Sequence, residues 1–301
     1  MVLYFRQNEN NLKKYILVNR MVTIRNELGE GIFFDNKNNT LLWLDINKSM
    51  LFVFCNKKLE KYKVAKNASA ILFVEDEIVT LVDKEGINNF CLITRNATQI
   101  SKTPTQYCSS KYRANDGIRL DNNLYMYGVM GQDPVKDNGA LILSENGESR
   151  IIMKDISIPN TFIRVPYSNS LLITDSLKKK IFKFDFDSSW KKVIHKKEWL
   201  NFKDSDKIPD GGCISTSGRI FIAIWDGFEI LEFDLEGNKV NKFEIPVPRP
   251  TNCTLNEKED QLFVTSAYEG LSDFDRKKYP LSGSIFTVDL NKFTVDLNKL
   301  C

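Results

Sequence analysis

Six short apolar segments recur along the chain, and their regular spacing limits the possible folds more than any other feature. The first apolar residues of successive segments are 37 to 49 residues apart. Their β-branched and aromatic residues, with polar clusters between them, are typical of β-strands. The segments are NTLLWLDI at 39–46, DEIVTLVD at 76–83, NNLYMYGVM at 122–130, NSLLITDS at 169–176, GRIFIAIWD at 218–226 and DQLFVTSA at 260–267. This spacing is typical of the blades of a propeller.

Further strand-like stretches surround each apolar segment. A shorter stretch precedes it, and another with a turn follows, as in WDGFEILEFDLEGNKVNKFEI at 225–245. The pattern predicts an all-β protein: a six-bladed β-propeller with four-stranded blades around a central channel, in a single domain over residues 1–301. A β-sandwich is the alternative, but six spaced repeats favour the propeller. We expect the strand near Tyr15 to Val18 to complete the last blade and close the ring.

The C-terminal segment contains a direct repeat. FTVDLNK at 286–292 is followed at once by FTVDLNK at 293–299. One copy is long enough for a final strand. The second copy, in the tandem duplicate within about 286–301, is therefore predicted to be a dangling duplicate or a sequence artefact, and we assign it no function.

Composition excludes several classes of partner. The chain has 42 basic and 39 acidic residues, and a net charge of +3 is too small to indicate nucleic-acid binding. No apolar run approaches the roughly 18 residues of a membrane span. The N-terminus, MVLYFRQNENNLKK, lacks the order of a signal peptide, which predicts a cytoplasmic protein.

The six cysteines have no Cys-x-x-Cys spacing and are expected to be free, mostly buried thiols. We expect a monomer or weak homo-oligomer with no nucleic-acid or membrane partner.

The stretches that open the repeats carry the candidate site. Each is expected to be an innermost strand, so residues at its start should face the channel. Four of them are LGEGIFF at 28–34, RANDGIRL at 113–120, IPNTFIRV at 158–165 and IPDGGCIS at 208–215. They place four oxygen-bearing side chains at equivalent positions: Glu30, Asn115, Asn160 and Asp210. Alone, each is a typical turn residue, and YRANDG at 112–117 predicts a chain reversal at Asp116-Gly117. Together they are expected to converge.

Two crowded carboxylates repel each other unless a cation lies between them. With amide oxygens they form a hard-oxygen site suited to Ca, Mg or Mn, and Zn is possible where carboxylates dominate. Arg113 would direct its guanidinium at an oxygen-rich ligand. The single histidine, His195, lies in a Lys-rich segment, which excludes a Ser-His-Asp triad and a His-ligated zinc centre. The mechanism that remains after these exclusions is metal-assisted chemistry with a carboxylate as general base.

An ordered series of motifs resembles a known family. Four motif pairs come first: LGEG with LLWLDI, RANDG with YMYGVM, IPN with LLITDS, and IPDGG with RIFIAIWDG. The series ends with PVPRPTNC, FVTSAYEGL and PLSGSIF. Over about residues 27 to 289 the chain is similar to the senescence marker protein (regucalcin), gluconolactonase and luciferin-regenerating enzyme family. The resemblance implies a six-bladed propeller with one divalent metal in its channel. It also implies hydrolysis of lactones of sugar acids or of related esters.

The resemblance also implies roles for particular residues. Glu30, Asn160 and Asp210 would be the metal ligands, and Asp210 would also be the general base. Asn115 would complete the site beside the metal, and Arg113 would hold substrate hydroxyls. Asp133 is similar in placement to an acidic residue that contacts sugar hydroxyls in some members.

Two departures from the family pattern concern the backbone. Thr161 follows Asn160 where the family often has glycine, and Ile32 follows Glu30-Gly31 where proline is common. Neither removes a ligand atom, and both affect the shape of the pocket.

The sequence therefore predicts a metal-dependent, gluconolactonase-like lactonase. Its cofactor would be one divalent ion (Ca, Zn, Mg or Mn), and its partner a small-molecule lactone. The alternative is a non-catalytic propeller that binds calcium for regulation or buffering, or serves as an interaction platform.

Overall fold

The computed structural model describes the backbone of residues 2–9, 12–22 and 24–295, and side chains from residue 18 to residue 291 apart from residue 23. Its strands form six antiparallel sheets, which are the blades of a six-bladed β-propeller. The predicted fold is therefore confirmed.

Two N-terminal strands, β1 (Val2–Glu9) and β2 (Leu12–Val22), precede the first four-stranded blade. Blade 1 contains β3 (Gly29–Asp35), β4 (Thr40–Asp45), β5 (Met50–Cys55) and β6 (Lys58–Lys63). Blade 2 contains β7 (Ala70–Glu75), β8 (Ile78–Val82), β9 (Gly86–Cys91) and β10 (Ala97–Lys102). Blade 3 contains β11 (Tyr112–Asp121), β12 (Leu124–Gly131), β13 (Gly139–Glu145) and β14 (Glu148–Ile156).

Blade 4 contains β15 (Pro159–Val165), β16 (Ser170–Asp175), β17 (Lys180–Phe186) and β18 (Val193–Asn201). Blade 5 contains β19 (Ile208–Ile214), β20 (Ile220–Trp225), β21 (Glu229–Phe233) and β22 (Lys239–Glu244). Blade 6 begins with β23 (Pro250–Leu255), β24 (Gln261–Ser266) and, after the short helix α1 (Asp273–Lys278), β25 (Ile285–Val295). The hydroxyl of Ser272 caps α1 by accepting a hydrogen bond from the backbone N–H of Asp275 at 3.1 Å.

The ring closes in blade 6, where strands from both ends of the chain meet. Strand β2 pairs with β25, with Val18 opposite Val288, and β1 adds the outermost strand. The predicted closure by the strand near Tyr15 to Val18 is confirmed. The prediction that the second FTVDLNK copy dangles is wrong for its first residues, since 293–295 extend β25 and pair with 14–16 of β2. Residues 296–299 of that copy lie outside the described part of the chain.

The core lies between neighbouring blades. The six apolar segments predicted from the sequence form the second strand of each blade, and every residue of β4, β12 and β16 is buried. These strands are apolar on both faces because each sheet is covered by a blade on either side. Between blades 3 and 4, for example, Met126, Leu171 and Phe184 pack in one cluster. Burying one such side chain stabilises the fold by about 1.5–3 kcal/mol.

Polar residues between the strands form the hairpin turns. Asn39, Asn123 and Asn146 take φ values of 48°, 54° and 49° in three of these turns. Asparagine tolerates this left-handed backbone because its short polar side chain can bond locally.

Each blade's first strand is the innermost one. Consecutive first strands (β3, β7, β11, β15, β19 and β23) contact each other around the channel. Among the described residues, no helix has the length and apolar character needed to cross a membrane. The five described cysteines are free thiols, as expected, but only Cys253 is fully buried, so the expectation of mostly buried thiols is wrong.

Candidate functional site

A cavity of about 360 Å³ lies in the central channel, at the end where the innermost strands begin. Polar side chains from four blades line this channel cavity: Glu30 from β3, Arg113 and Asn115 from β11, Asn160 from β15 and Asp210 from β19. Five of the side chains singled out from the sequence thus share one cavity, while the roles assigned to them remain predictions.

A β-bulge lies beside the site in each of these four strands. Strand pairing skips between Glu30 and Phe33, Ala114 and Gly117, Asn160 and Ile163, and Pro209 and Gly212. A bulge inserts an extra residue, bends the strand and redirects its side chains. The repeat of this irregularity explains why equivalent sequence positions deliver side chains to the same cavity.

Within the bulge of β15, Thr161 takes φ 55°, and at the equivalent position of β3 Gly31 takes φ 54°. A β-branched residue rarely adopts this left-handed backbone, which is strained by about 1–3 kcal/mol. The Thr161 hydroxyl compensates, because it donates to the backbone oxygen of Asp210 and accepts from the Thr174 hydroxyl at 2.9 Å. Threonine in place of glycine at this position therefore adds a hydroxyl group, which connects the bulge of blade 4 to the strand that carries Asp210.

The side chains of Asn160 and Asp210 are hydrogen-bonded across blades 4 and 5. Asn160 Nδ2 donates to Asp210 Oδ1 and also lies 3.4 Å from Ser176 Oγ. The other amide atom, Asn160 Oδ1, is buried and has no hydrogen-bond partner among the described residues. A buried carbonyl oxygen that accepts no hydrogen bond costs free energy. The unpaired Asn160 Oδ1 therefore indicates a position where a cation could bind to this oxygen.

Glu30 is buried and holds its proton unusually strongly. Its Oε2 accepts hydrogen bonds at 3.2 Å from the backbone N–H of Gly31 and from Asn252 Nδ2. Burial, followed by repulsion from Asp116, raises the pKa of the Glu30 carboxyl to about 8. Without a cation, Glu30 is therefore mostly neutral at pH 7.

Asp210 lies in the same electrostatic environment. Burial raises the pKa of its carboxyl well above the ordinary value, and repulsion from Glu30 and Asp116 adds to the effect. A shared cation would reverse these shifts because it stabilises both carboxylates.

Asp116 is a third buried carboxylate, and sequence reasoning missed it. The expected chain reversal at Asp116-Gly117 is wrong, because both residues lie within the continuous strand β11. Asp116 Oδ1 instead accepts a hydrogen bond from the Gly117 N–H at 2.8 Å, and burial raises the pKa of its carboxyl to about 6. Its charge acts on Glu30 and Asp210. The signal that could have found it is its place beside Asn115 at the start of an innermost strand.

Arg113 and Asn115 form a unit beside the acidic group. Arg113 Nη1 donates to Asn115 Oδ1 at 2.6 Å and to the Ala114 carbonyl oxygen at 3.0 Å, while Asn115 Nδ2 donates to the Pro159 carbonyl oxygen at 3.0 Å. Asn115 therefore connects Arg113 to blade 4. Burial lowers the pKa of the Arg113 guanidinium, and nearby Glu269 opposes this most strongly among the acids.

The rest of the wall is largely apolar, and the sequence did not single out its residues as part of the site, although most of them lie in the segments quoted above. Leu28, Met130, Ile158, Leu177, Ile208 and Trp225 form most of it. Glu269, which follows β24, adds a carboxylate that accepts a hydrogen bond from Asn47 Nδ2 at 2.8 Å. Their motifs gave no sign that these side chains line the cavity, since they reach it only when the ring has closed.

Asp133 is the one candidate site residue that the structure does not bring to the cavity. Its side chain is exposed, and its neighbour Pro134 lines the wall instead.

The donor set of the channel cavity fits a divalent cation. No cluster of three His, Cys, Asp or Glu side chains within the described part of the chain has metal-binding geometry. Here two carboxylates, Glu30 and Asp210, stand with the amide oxygen of Asn160 that lacks a donor. Such hard oxygens are ligands for Ca, Mg or Mn. The residues present therefore fit the group that the sequence implies.

The fold and the site together define a class of protein: six-bladed propellers with buried carboxylates in the central channel. The family model for the SMP-30/gluconolactonase/LRE-like region matches residues 28–268. The chain belongs to this family, as the resemblance of its motifs predicts.

The sequence identity to individual members of the family is low. The chain is 26% identical to regucalcin of Gallus gallus over 283 residues, covering 88% of this chain and 91% of the relative. It is 25% identical to L-arabinolactonase of Azospirillum brasilense over 272 residues, covering 88% and 89%. The crystal structure of the calcium-binding protein regucalcin from Agrobacterium tumefaciens has the same fold, with a TM-score of 0.84, 21% identity, and coverage of 91% of this chain and 93% of that one.

Proposed function

We propose that this protein is a metal-dependent lactonase that hydrolyses the lactone ring of a sugar acid or a related lactone. The observation that carries the proposal is the arrangement around Asn160. Its buried Oδ1 lacks a donor within the described residues, and it shares the cavity with the carboxyl groups of Glu30 and Asp210, whose pKa values are raised by burial. Such strongly perturbed groups in a cavity are typical of functional sites.

Glu30, Asn160 and Asp210 would hold one divalent cation: Ca, Mg, Mn or Zn. When bound, such a cation would polarise the lactone carbonyl and lower the pKa of a water molecule. The bound charge would also keep Asp210 ionised at neutral pH, which a general base requires.

The chain's own residues would carry the proton and position the ring. Asp210 would take a proton from the attacking water, whose oxygen forms a bond to the carbonyl carbon. The ring C–O bond then breaks, the proton on Asp210 passes to the leaving ring oxygen, and the product is a hydroxy acid. Arg113, held in place by Asn115, would donate hydrogen bonds to substrate oxygens. The face of the ring would lie against the apolar wall that includes Trp225, and a cavity of about 360 Å³ suits a small ligand of this kind.

The relatives support the substrate class and leave a second candidate. L-arabinolactonase of Azospirillum brasilense is named for a lactone, which favours hydrolysis of a lactone here. The Agrobacterium tumefaciens regucalcin is described as calcium-binding, and the same oxygen donors would suit a protein that binds calcium without catalysis. Asp133, if it contacts sugar hydroxyls, would do so from outside the cavity lining.

The test is hydrolysis of a panel of sugar δ- and γ-lactones beside aliphatic ones, with metal-stripped protein and one metal added back at a time. We expect turnover to return with a metal. Asp210→Asn should lower kcat by about 10²–10⁴, the usual contribution of a general base. Asp121→Asn is the matched control, because Asp121 is exposed at the far end of β11 and should leave turnover unchanged.

Tight metal binding with no turnover on any lactone would contradict the lactonase and support the calcium-binding alternative. Equal losses in Asp210→Asn and Asp121→Asn would contradict the role of Asp210.

A further inference from the structure

A second cavity, of about 390 Å³, lies on the surface beside the channel cavity. Its lining contains four cationic side chains, one carboxylate and one phenol: Arg25, Lys48, Arg276, Lys277, Asp273 and Tyr268. We refer to it as the basic cavity. It is not part of the site described above, since the two cavities share no lining residue.

Three of the cations surround the ring of Tyr268. The guanidinium carbons of Arg25 and Arg276 lie 5.5 Å and 4.8 Å from the ring centroid, and Lys48 Nζ lies 5.0 Å from it. Cation–π contacts at exposed positions are weak, and three like charges around one ring repel each other. The contacts with the ring therefore do not offset the repulsion among the three cations.

The nearby carboxylates compensate only part of this charge. Asp45 lies 3.4 Å from Lys48 Nζ and offsets the charge of that one lysine. Asp275 accepts a hydrogen bond from the Ser272 hydroxyl at 2.6 Å. Asp273 is the one carboxylate in the lining, against four cations. The cavity should consequently attract an anion with more than one negative charge.

We propose that the basic cavity is a second binding site, for a small molecule that carries a phosphate group. Arginine forks bind phosphate oxygens in pairs, and lysines add point charges. A dianionic phosphate matches the excess of cations better than a single carboxylate does. The volume of about 390 Å³ leaves room for the organic part of a phosphate ester beside the phosphate itself.

The basic cavity and the channel cavity share a wall. Tyr268 lines the first and Glu269 the second, and the backbone N–H groups of both donate to the carbonyl oxygen of Glu27, at 3.1 Å and 2.9 Å. The phosphate could therefore come from two sources: a phosphorylated lactone that reaches from the channel, or a separate phosphorylated metabolite.

The test is calorimetric titration of inorganic phosphate into metal-stripped protein at low ionic strength. Stripping the metal removes a divalent cation that could bind phosphate in the channel. We compare Lys277→Gln with Lys278→Gln, since both are exposed lysines of α1 and only Lys277 lines the basic cavity. Lys277→Gln should weaken phosphate binding about three- to ten-fold, as expected for one partly solvated charge, and Lys278→Gln should leave it unchanged.

An Arg25→Gln variant gives a second reading from a different segment and should weaken binding by a similar factor. No binding of phosphate to the unmodified protein at millimolar concentration would overturn the proposal. Equal weakening by Lys277→Gln and Lys278→Gln would also overturn it, because it would show general attraction to a positive surface. The titration requires no lactonase activity, so its failure and that of the proposed function are distinguishable.

Kinetics would then identify the source. If the phosphate belongs to the substrate, Lys277→Gln should raise KM for a phosphorylated sugar lactone and leave KM for the unphosphorylated lactone unchanged. If both KM values stay unchanged while phosphate binding is weakened, the ligand is a separate metabolite.

Discussion

The amide of Asn160 donates a hydrogen bond to the carboxyl group of Asp210 on the neighbouring blade, while its own Oδ1 is buried without a donor in the described part of the chain. One bond thus fixes the relative position of two groups that lie 50 residues apart in sequence. The orientation also decides which atom of the amide is available. A cation entering the cavity would meet an oxygen that needs no rearrangement, so the cost of ordering the ligand is already met by the fold.

Asn160→Leu should weaken metal binding at least ten-fold, because leucine has a similar size and no oxygen. The free energy of unfolding of the metal-free protein should change by no more than about 1 kcal/mol, since loss of the bond to Asp210 is offset by removal of the unpaired oxygen. Chelator competition measures the affinity, and urea unfolding measures the stability.

Asn160→Asp is the comparison variant, because it keeps an oxygen at the same position and adds a charge. It should bind the metal at least as tightly as the unmodified protein. A similar loss of affinity in both variants would contradict the assignment of a ligand oxygen to residue 160.

Metal binding should release a proton at pH 7. The pKa of Glu30 is raised from its ordinary value of 4.5 to about 8 in the metal-free fold, so at pH 7 the group is mostly protonated. A cation requires the carboxylate, and the displaced proton passes to the buffer. Affinity should therefore rise with pH as Glu30 ionises near pH 8. Calorimetry in two buffers of different ionisation enthalpy measures the number of protons released.

Glu30→Gln provides the control for that measurement, because glutamine cannot ionise. It should bind the metal more weakly and release about one proton fewer. Metal binding whose heat is independent of the buffer would show that Glu30 is already ionised or is not a ligand.

Thr161 should show a particular order of stability among its variants. Thr161→Val keeps the strained backbone and loses the hydroxyl bonds to Asp210 and Thr174, which should cost about 2–3 kcal/mol. Thr161→Gly loses the same bonds but relieves the positive φ, so it should be more stable than Thr161→Val by about 1 kcal/mol. Thr161→Ser keeps the hydroxyl and should resemble the unmodified protein. Urea unfolding that finds the glycine variant no more stable than the valine variant would rule out strain at this position.

The parts of the fold that the sequence predicted are those set by local repetition. A blade strand covered on both sides must be apolar throughout, so segments such as 39–46 and 169–176 stand out from their polar surroundings. The repeats are in phase, which is why Glu30 and Asn160 could be assigned to one cavity although they lie on different blades.

What the sequence did not predict depends on the closed ring. Asn-Asp-Gly favours a turn locally, but pairing with β12 keeps Asp116 in a strand and buries its carboxyl group among other acids. Trp225 ends a strand of blade 5 and Glu269 follows a strand of blade 6, and they meet the other residues only in three dimensions. Asp133 was placed by analogy, and its loop is exposed here.

Arg113→Lys should lower kcat/KM about 10- to 100-fold while the affinity for the metal stays within about two-fold. Lysine keeps the charge but cannot reproduce the guanidinium fork, which donates to Asn115 at 2.6 Å and faces the cavity. The loss should appear mainly in KM if Arg113 holds the substrate before the reaction and equally in kcat if it acts only in the transition state. Arg119→Lys is the matched control on the same strand, since Arg119 lies against Phe73, outside the channel cavity. Equal effects of the two substitutions would contradict a substrate-binding role for Arg113.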